Sequence, residues 1–138
     1  MLDFVKENAL LIGLAFGSGI ALLMPTLGRG ASGVPNVSAT EAVMLLSRNK
    51  PLVLDVRDAA EFAAGHIQGA VHIPVAELAG RIKEIEKFKD KPVLINCQKG
   101  IRSKTACTIL KAQAFTQLHN LEGGLDTWVT ANLPLVKT

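Results

Sequence analysis

The stretch Cys97-Gln-Lys-Gly-Ile-Arg-Ser103 puts a thiol, a glycine and two cations within seven residues. It follows an apolar run, Val93-Leu-Ile95, and leads into a segment that reads as a helix over 103–113. A loop that leaves a buried strand and enters a helix turns successive backbone N–H groups toward one point, which makes a cradle for an anion. Gly100 lets that backbone bend without a side-chain clash. Arg102 can hold an oxyanion through two parallel hydrogen bonds, and Lys99 adds a second positive charge. A thiol at the mouth of such a cradle is favoured in its ionised, nucleophilic form. Residues 91 to 121 contain no Asp or Glu, while Lys91, Lys99, Arg102, Lys104 and Lys111 are basic. The local field therefore favours an anionic substrate. Cys97 is the candidate nucleophile, and Gln98, Lys99, Gly100, Ile101, Arg102 and Ser103 form the candidate substrate-binding loop.

The other cysteine reads differently. Cys107 falls inside the helix beside Ala106, Ile109 and Leu110 and is expected to pack in the core. Two cysteines ten positions apart offer neither a disulfide scaffold nor the paired spacing of a zinc site. His66, His72 and His119 also lack metal-ligand spacing, so no metal is expected.

The loop needs elements to hold it. Ser38-Ala-Thr-Glu41 has the pattern of a capping box, followed by the apolar face Ala42, Val43, Leu45 and Leu46 of a short helix. Leu52 to Val56, Val71 to Ile73, Val93 to Ile95 and Gln117 to Leu121 read as short buried strands. Between them, 58–64 suits a short helix stopped by Gly65. Apolar residues at 78, 82, 85 and 88 predict an amphipathic helix over 75–88, with Arg81, Lys83, Glu84, Glu86 and Lys87 facing solvent. Gly123-Gly124 reads as a turn before a last helix anchored by Trp128. Strands alternating with helices predict an α/β fold with a mainly parallel central sheet flanked by helices. In such sheets ligands bind at the carboxyl ends of strands, which is where Cys97 falls.

Composition sets the outer bounds. At 138 residues there is room for one domain, and 49% hydrophobic residues exclude a disordered chain. A net charge of +3 with no basic run gives no reason to expect nucleic acid. The surplus of aliphatic residues lies at the front, where 8–28 carry no charge. As a helix these residues would span about 30 Å, one hydrocarbon core, so a single transmembrane helix is expected there. The leader lacks a net positive charge and no Ala-x-Ala follows, which argues against a cleaved signal peptide. A Gly-rich linker is expected over 29–35 and the globular domain over 36–138. Lys6 is offset by Asp3 and Glu7, whereas Arg29, Arg48 and Lys50 follow the span. That bias points to an inner-membrane, single-pass protein with its domain on the cytoplasmic side.

Several blocks now fall into one order: Leu54-Asp-Val-Arg57, Glu61-Phe62, Gly65-His-Ile67, Gly69-Ala70, Ile73-Pro74, Cys97-x-x-Gly100-x-Arg102-Ser103, and Leu121-Glu-Gly-Gly124 with Trp128. The sequence resembles a single-domain rhodanese, a sulfurtransferase that handles thiosulfate or persulfides. The resemblance implies that Cys97 takes sulfane sulfur from a small sulfur-containing anion or a persulfide donor. It would hold that sulfur as a persulfide and pass it to a thiol acceptor, such as a protein thiol, with no cofactor. It also implies that Asp55 and Arg57 form a buried polar pair supporting the sheet edge. Related phosphatases carry five residues between Cys and Arg; the four here resemble the sulfur-handling branch. Three positions depart from the pattern. Gln98 stands where many thiosulfate-using relatives have Arg, Asn96 replaces an apolar or aromatic residue, and Ala114 replaces a helix-ending Gly. The other reading is a membrane-anchored interaction module with this fold and little turnover.

Overall fold

The computed structural model describes residues 33–137. The expected span 8–28, and the expected linker up to residue 32, lie outside the described residues. Among the described residues no helix is long and apolar enough to cross a membrane. Val34, expected in the linker, is buried in the core.

Strand β1 (Asn36–Val37) leads into helix α1 (Ala39–Asn49). The capping box closes as its pattern predicts: Glu41 N–H donates to Ser38 Oγ at 3.1 Å and Ser38 N–H to the Glu41 carboxylate at 3.4 Å. β2 (Leu52–Asp55), α2 (Ala59–Ala64), β3 (Val71–His72) and α3 (Val75–Leu78) follow. A 3-10 helix (Ile82–Phe88) then leads to β4 (Pro92–Asn96), α4 (Arg102–Ala112), β5 (Gln117–Leu121) and α5 (Gly124–Thr130).

The five strands form one sheet in the order β1-β5-β4-β2-β3, and every pairing is parallel. The α/β architecture expected from the alternating pattern is present. β2 and β4 are central, and Leu52 to Asp55 and Val93 to Asn96 are buried throughout, as a sheet covered on both faces requires. On one face Leu54, Ile73, Leu78, Ile85, Ile95 and Leu110 pack under α3, the 3-10 helix and α4. On the other, Ala42, Val53, Leu94, Leu121, Leu125 and Trp128 pack under α1 and α5.

The expected helix over 75–88 is not continuous. α3 stops at Leu78, and the chain resumes at Ile82 as a 3-10 helix. Gly80 weakens the intervening turn. Beyond it, Ile82, Ile85 and Phe88 recur every third residue, which lines up one face of a helix with three residues per turn. The inward positions are nonetheless the expected ones, with Leu78 and Ile85 buried. Ala114 is left-handed (φ 68°), closing α4 with N–H donation from Phe115 to Leu110 C=O and from Ala114 to Lys111 C=O. An alanine in that conformation costs about 1 kcal/mol.

Candidate functional site

β4 delivers Cys97 at its carboxyl end, and the loop 97–101 turns directly into α4. Cys97 Sγ accepts a hydrogen bond from Gly100 N–H at 3.0 Å and lies 3.3 Å from Ser103 Oγ. Gly100 has φ 88°, the left-handed conformation that aims its N–H at the sulfur. Ser103 is fully buried behind the sulfur, on the first turn of α4.

The loop rests on α5. Leu125 N–H donates to Cys97 C=O at 2.9 Å and Asp126 N–H to Gln98 C=O at 3.0 Å. Gly123-Gly124 therefore does more than turn the chain. A Cβ on Gly124 would overlap the carbonyls of Cys97 and Gln98, and its φ is 62°. Only a bare backbone lets α5 approach the Cys97 loop this closely.

Asp55 and Arg57 meet beneath the loop. Arg57 Nη2 donates to Asp55 Oδ2 at 2.7 Å and to Gly65 C=O at 2.7 Å, and Nε reaches Asp55 Oδ1 at 2.9 Å. Both residues are buried. The remaining arm, Nη1, donates to Gln98 Oε1 at 3.0 Å, and Gln98 Nε2 donates to Asp126 Oδ1 at 2.6 Å. A chain of polar contacts thus runs from β2 through the loop to α5, and both ends of the Gln98 amide are taken.

Arg102 is held by a group that the sequence pattern around Cys97 does not reveal. Its Nη1 and Nη2 donate to Glu61 Oε1 and Oε2 at 2.7 and 2.9 Å, and Asp58 Oδ2 lies 3.9 Å from Nη1. The Arg102 hydrogen bonds hold the Glu61 carboxyl down at about 2, outweighing the opposing effect of burial, and the same contact raises Arg102. The purely basic surroundings expected from residues 91 to 121 need correction. Glu61, Asp58 and Asp126 come from distant segments and surround the loop with carboxylates. Glu61-Phe62 was visible as a block of the family pattern, but nothing in the spacing paired it with Arg102.

Glu61, Cys97, Gln98, Lys99, Ile101 and Arg102 line one pocket of about 340 Å³. Ile101 stands 71% exposed at its edge, an unusual position for so large an apolar side chain. Two larger hollows, of about 410 and 450 Å³, are lined by no thiol. Of these three hollows, the smallest is the one that Cys97 lines.

Cys107 lies in the core below, on α4, where burial pushes its thiol up to about 12, with the Cys97 charge adding to the effect. His66 Nδ1 contacts Phe62 C=O at 2.8 Å and His72 Nε2 contacts Arg57 C=O at 2.7 Å. Both imidazoles stack on Phe62. Burial lowers His119, which is half-buried on β5. Asn96 is fully buried beside Cys97, and its side-chain amide has no hydrogen-bond partner among the described residues.

The sheet order, the strand-end cysteine and the glycine-bent loop define an α/β protein that presents a thiol to a pocket of about 340 Å³. The sequence profile of the rhodanese-like domain matches residues 38–131, and the chain belongs to that family. The Escherichia coli K12 protein YibN is 30% identical over 138 residues, covering 99% of this chain and 96% of its own. The thiosulfate sulfurtransferase GlpE of Pseudomonas fluorescens is 34% identical over 90 residues, 65% of this chain and 81% of its own. Among solved structures, the rhodanese-related protein of Thermoplasma volcanium superposes with a TM-score of 0.65 at 28% identity. It covers 75% of this chain and 98% of its own.

Proposed function

We propose that the protein is a sulfurtransferase that carries sulfane sulfur on Cys97. The Cys97 thiolate attacks the outer sulfur of thiosulfate or of an organic persulfide, forming a new S–S bond. The donor's own S–S bond breaks, and its electron pair leaves with sulfite or with the thiolate. The acceptor thiolate then attacks the outer sulfur of the Cys97 persulfide, carries it away as a new persulfide and returns Cys97 to thiolate. The observation that carries this reading is the Gly100 N–H set 3.0 Å from Sγ beside a pocket that Cys97 lines. An amide fixed in that position stabilises charge on sulfur without reorganising during the reaction. Relatives named as sulfurtransferases support the same reading.

The test is to incubate the full-length chain with thiosulfate and cyanide and follow thiocyanate. Turnover that disappears in Cys97→Ser supports the proposal. A well-folded protein with no turnover and no sulfur gained on Cys97 from any donor leaves the interaction-module reading.

The uncharged run 8–28 and the charge bias around it support a further part of this reading. The run tethers the domain to the inner membrane as a single span, with the domain on the cytoplasmic side. Protease added to spheroplasts should then leave the domain uncut, and ready digestion would overturn that assignment.

A further inference from the structure

The pocket beside Cys97 holds no surplus positive charge. Its lining side chains carry two cations, Lys99 and Arg102, one carboxylate, Glu61, and one thiolate once Cys97 ionises. The guanidinium is the group best shaped to grip an oxyanion, yet both of its terminal nitrogens, Nη1 and Nη2, are bonded to Glu61 at 2.7 and 2.9 Å. Gln98 cannot compensate, because its amide is committed to Asp126 and Arg57. The third wall is apolar and exposed, the side chain of Ile101. A dianion entering this pocket loses water and meets a cation already neutralised, which costs more than the entry of a weakly charged group.

We infer that Glu61 is a specificity-determining residue that holds Arg102 away from the donor, so that the pocket selects organic persulfides over dianionic thiosulfate. This rests on the sulfur-transfer reading of Cys97. Glu61 stays ionised at every physiological pH, so the masking of Arg102 is permanent rather than switched. The side chain also caps α2 by accepting the Asp58 N–H at 3.2 Å. Glu61→Gln is therefore the informative variant: it keeps the shape and an acceptor for that cap and removes only the charge.

The experiment compares the full-length wild-type and Glu61→Gln chains. The rate of sulfur gain on Cys97 is measured by mass spectrometry with thiosulfate and, separately, with cysteine persulfide. The ratio of kcat/KM for thiosulfate to that for cysteine persulfide should rise by about tenfold, the value of one charge-assisted contact. The rise should shrink with added salt, because the freed charge is screened. A merely structural role would lower both rates and leave the ratio in place. Asp58→Asn, which relieves Arg102 of a more distant carboxylate, should move the ratio the same way by about twofold, and it keeps the inference testable if Glu61→Gln folds poorly. An unchanged or lowered ratio, with sulfur still gained from both donors, overturns the inference alone. No sulfur gained by the wild type from either donor overturns the sulfur-transfer reading and this inference with it.

Discussion

Cys97 and Cys107 are ten residues apart, both are buried, and both belong to the same core cluster. Cys97 has an exposure of 1% and Cys107 of 0%, so exposure does not separate them. Their surroundings do. The Cys97 sulfur meets the Gly100 N–H and the Ser103 hydroxyl and lies on a pocket, whereas Cys107 packs among aliphatic side chains on the inner face of α4. Burial pushes the Cys107 thiol up to about 12, so it is protonated at neutral pH. A buried thiol becomes a nucleophile through the hydrogen-bond donors fixed around it, and a buried thiol without them is a small hydrophobe.

The comparison breaks most sharply if the two cysteines exchange roles. Cys97→Ser should abolish sulfur gain and turnover while the fold survives, since the hydroxyl is nearly isosteric but a far weaker nucleophile. Sulfur found on Cys107 in that variant, by peptide mass spectrometry, would mean a relay between the two. Next in size is Gly124→Ala, which forces α5 off the carbonyls of Cys97 and Gln98. Turnover should fall at least about a hundredfold, as displacing a reacting group by about 1 Å does. Stability should drop by about 1–3 kcal/mol in urea denaturation. A fully active Gly124→Ala chain would show that the loop does not depend on α5.

Cys107→Ser should keep turnover but lose about 1–3 kcal/mol of stability by burying a hydroxyl without a partner. In the wild-type protein, iodoacetamide at neutral pH should label Cys107 only after denaturation. A smaller effect belongs to the Glu61–Arg102 pair at the pocket rim. Glu61 titrates near 2 in the fold against an ordinary 4.5, so the pair's stabilisation is complete above pH 4.5 and disappears as pH falls toward 2. Both side chains are about one-third exposed, which sets the scale at about 0.5–1 kcal/mol. Urea denaturation of wild type and Glu61→Gln should therefore differ at pH 6 and converge by pH 2. The smallest change is expected from Gln98→Arg. Sequence reasoning alone assigns the new cation a tightening of thiosulfate binding by about 1 kcal/mol. In the fold, Asp126 lies 2.6 Å from the Gln98 amide nitrogen and would take that charge, while Arg57 would repel it. The thiosulfate KM should accordingly shift by less than about threefold; a larger drop would show that Asp126 does not hold the new side chain.

Much of this protein was written in local pattern. The buried runs at Leu52 to Asp55 and Pro92 to Asn96 carry their strand identity in their own residues, because a strand covered on both faces needs continuous apolar sequence. The capping box at Ser38 to Glu41 is equally local, settled within a few residues. So is the placement of Cys97 between a strand and a helix, with Gly100 three residues on. The break after Leu78 shows the limit of such reading, since apolar spacing of three and four residues marks the buried face without deciding which helix presents it.

What only the tertiary structure decided is which groups surround the sulfur. Glu61 reaches Arg102 across 41 residues, Arg57 reaches Gln98 across 41, and Asp126 reaches Gln98 across 28. A parallel sheet returns each strand through a crossover, so the carboxyl ends of β2, β4 and β5 meet on one side although the chain between them is long. The window around Cys97 contains only basic charge, yet the folded loop is ringed by carboxylates delivered from those other strand ends. Periodicity and spacing describe a residue's neighbours along the chain. The charge that a substrate meets is set by neighbours in space, and those exist only once the sheet has ordered its strands.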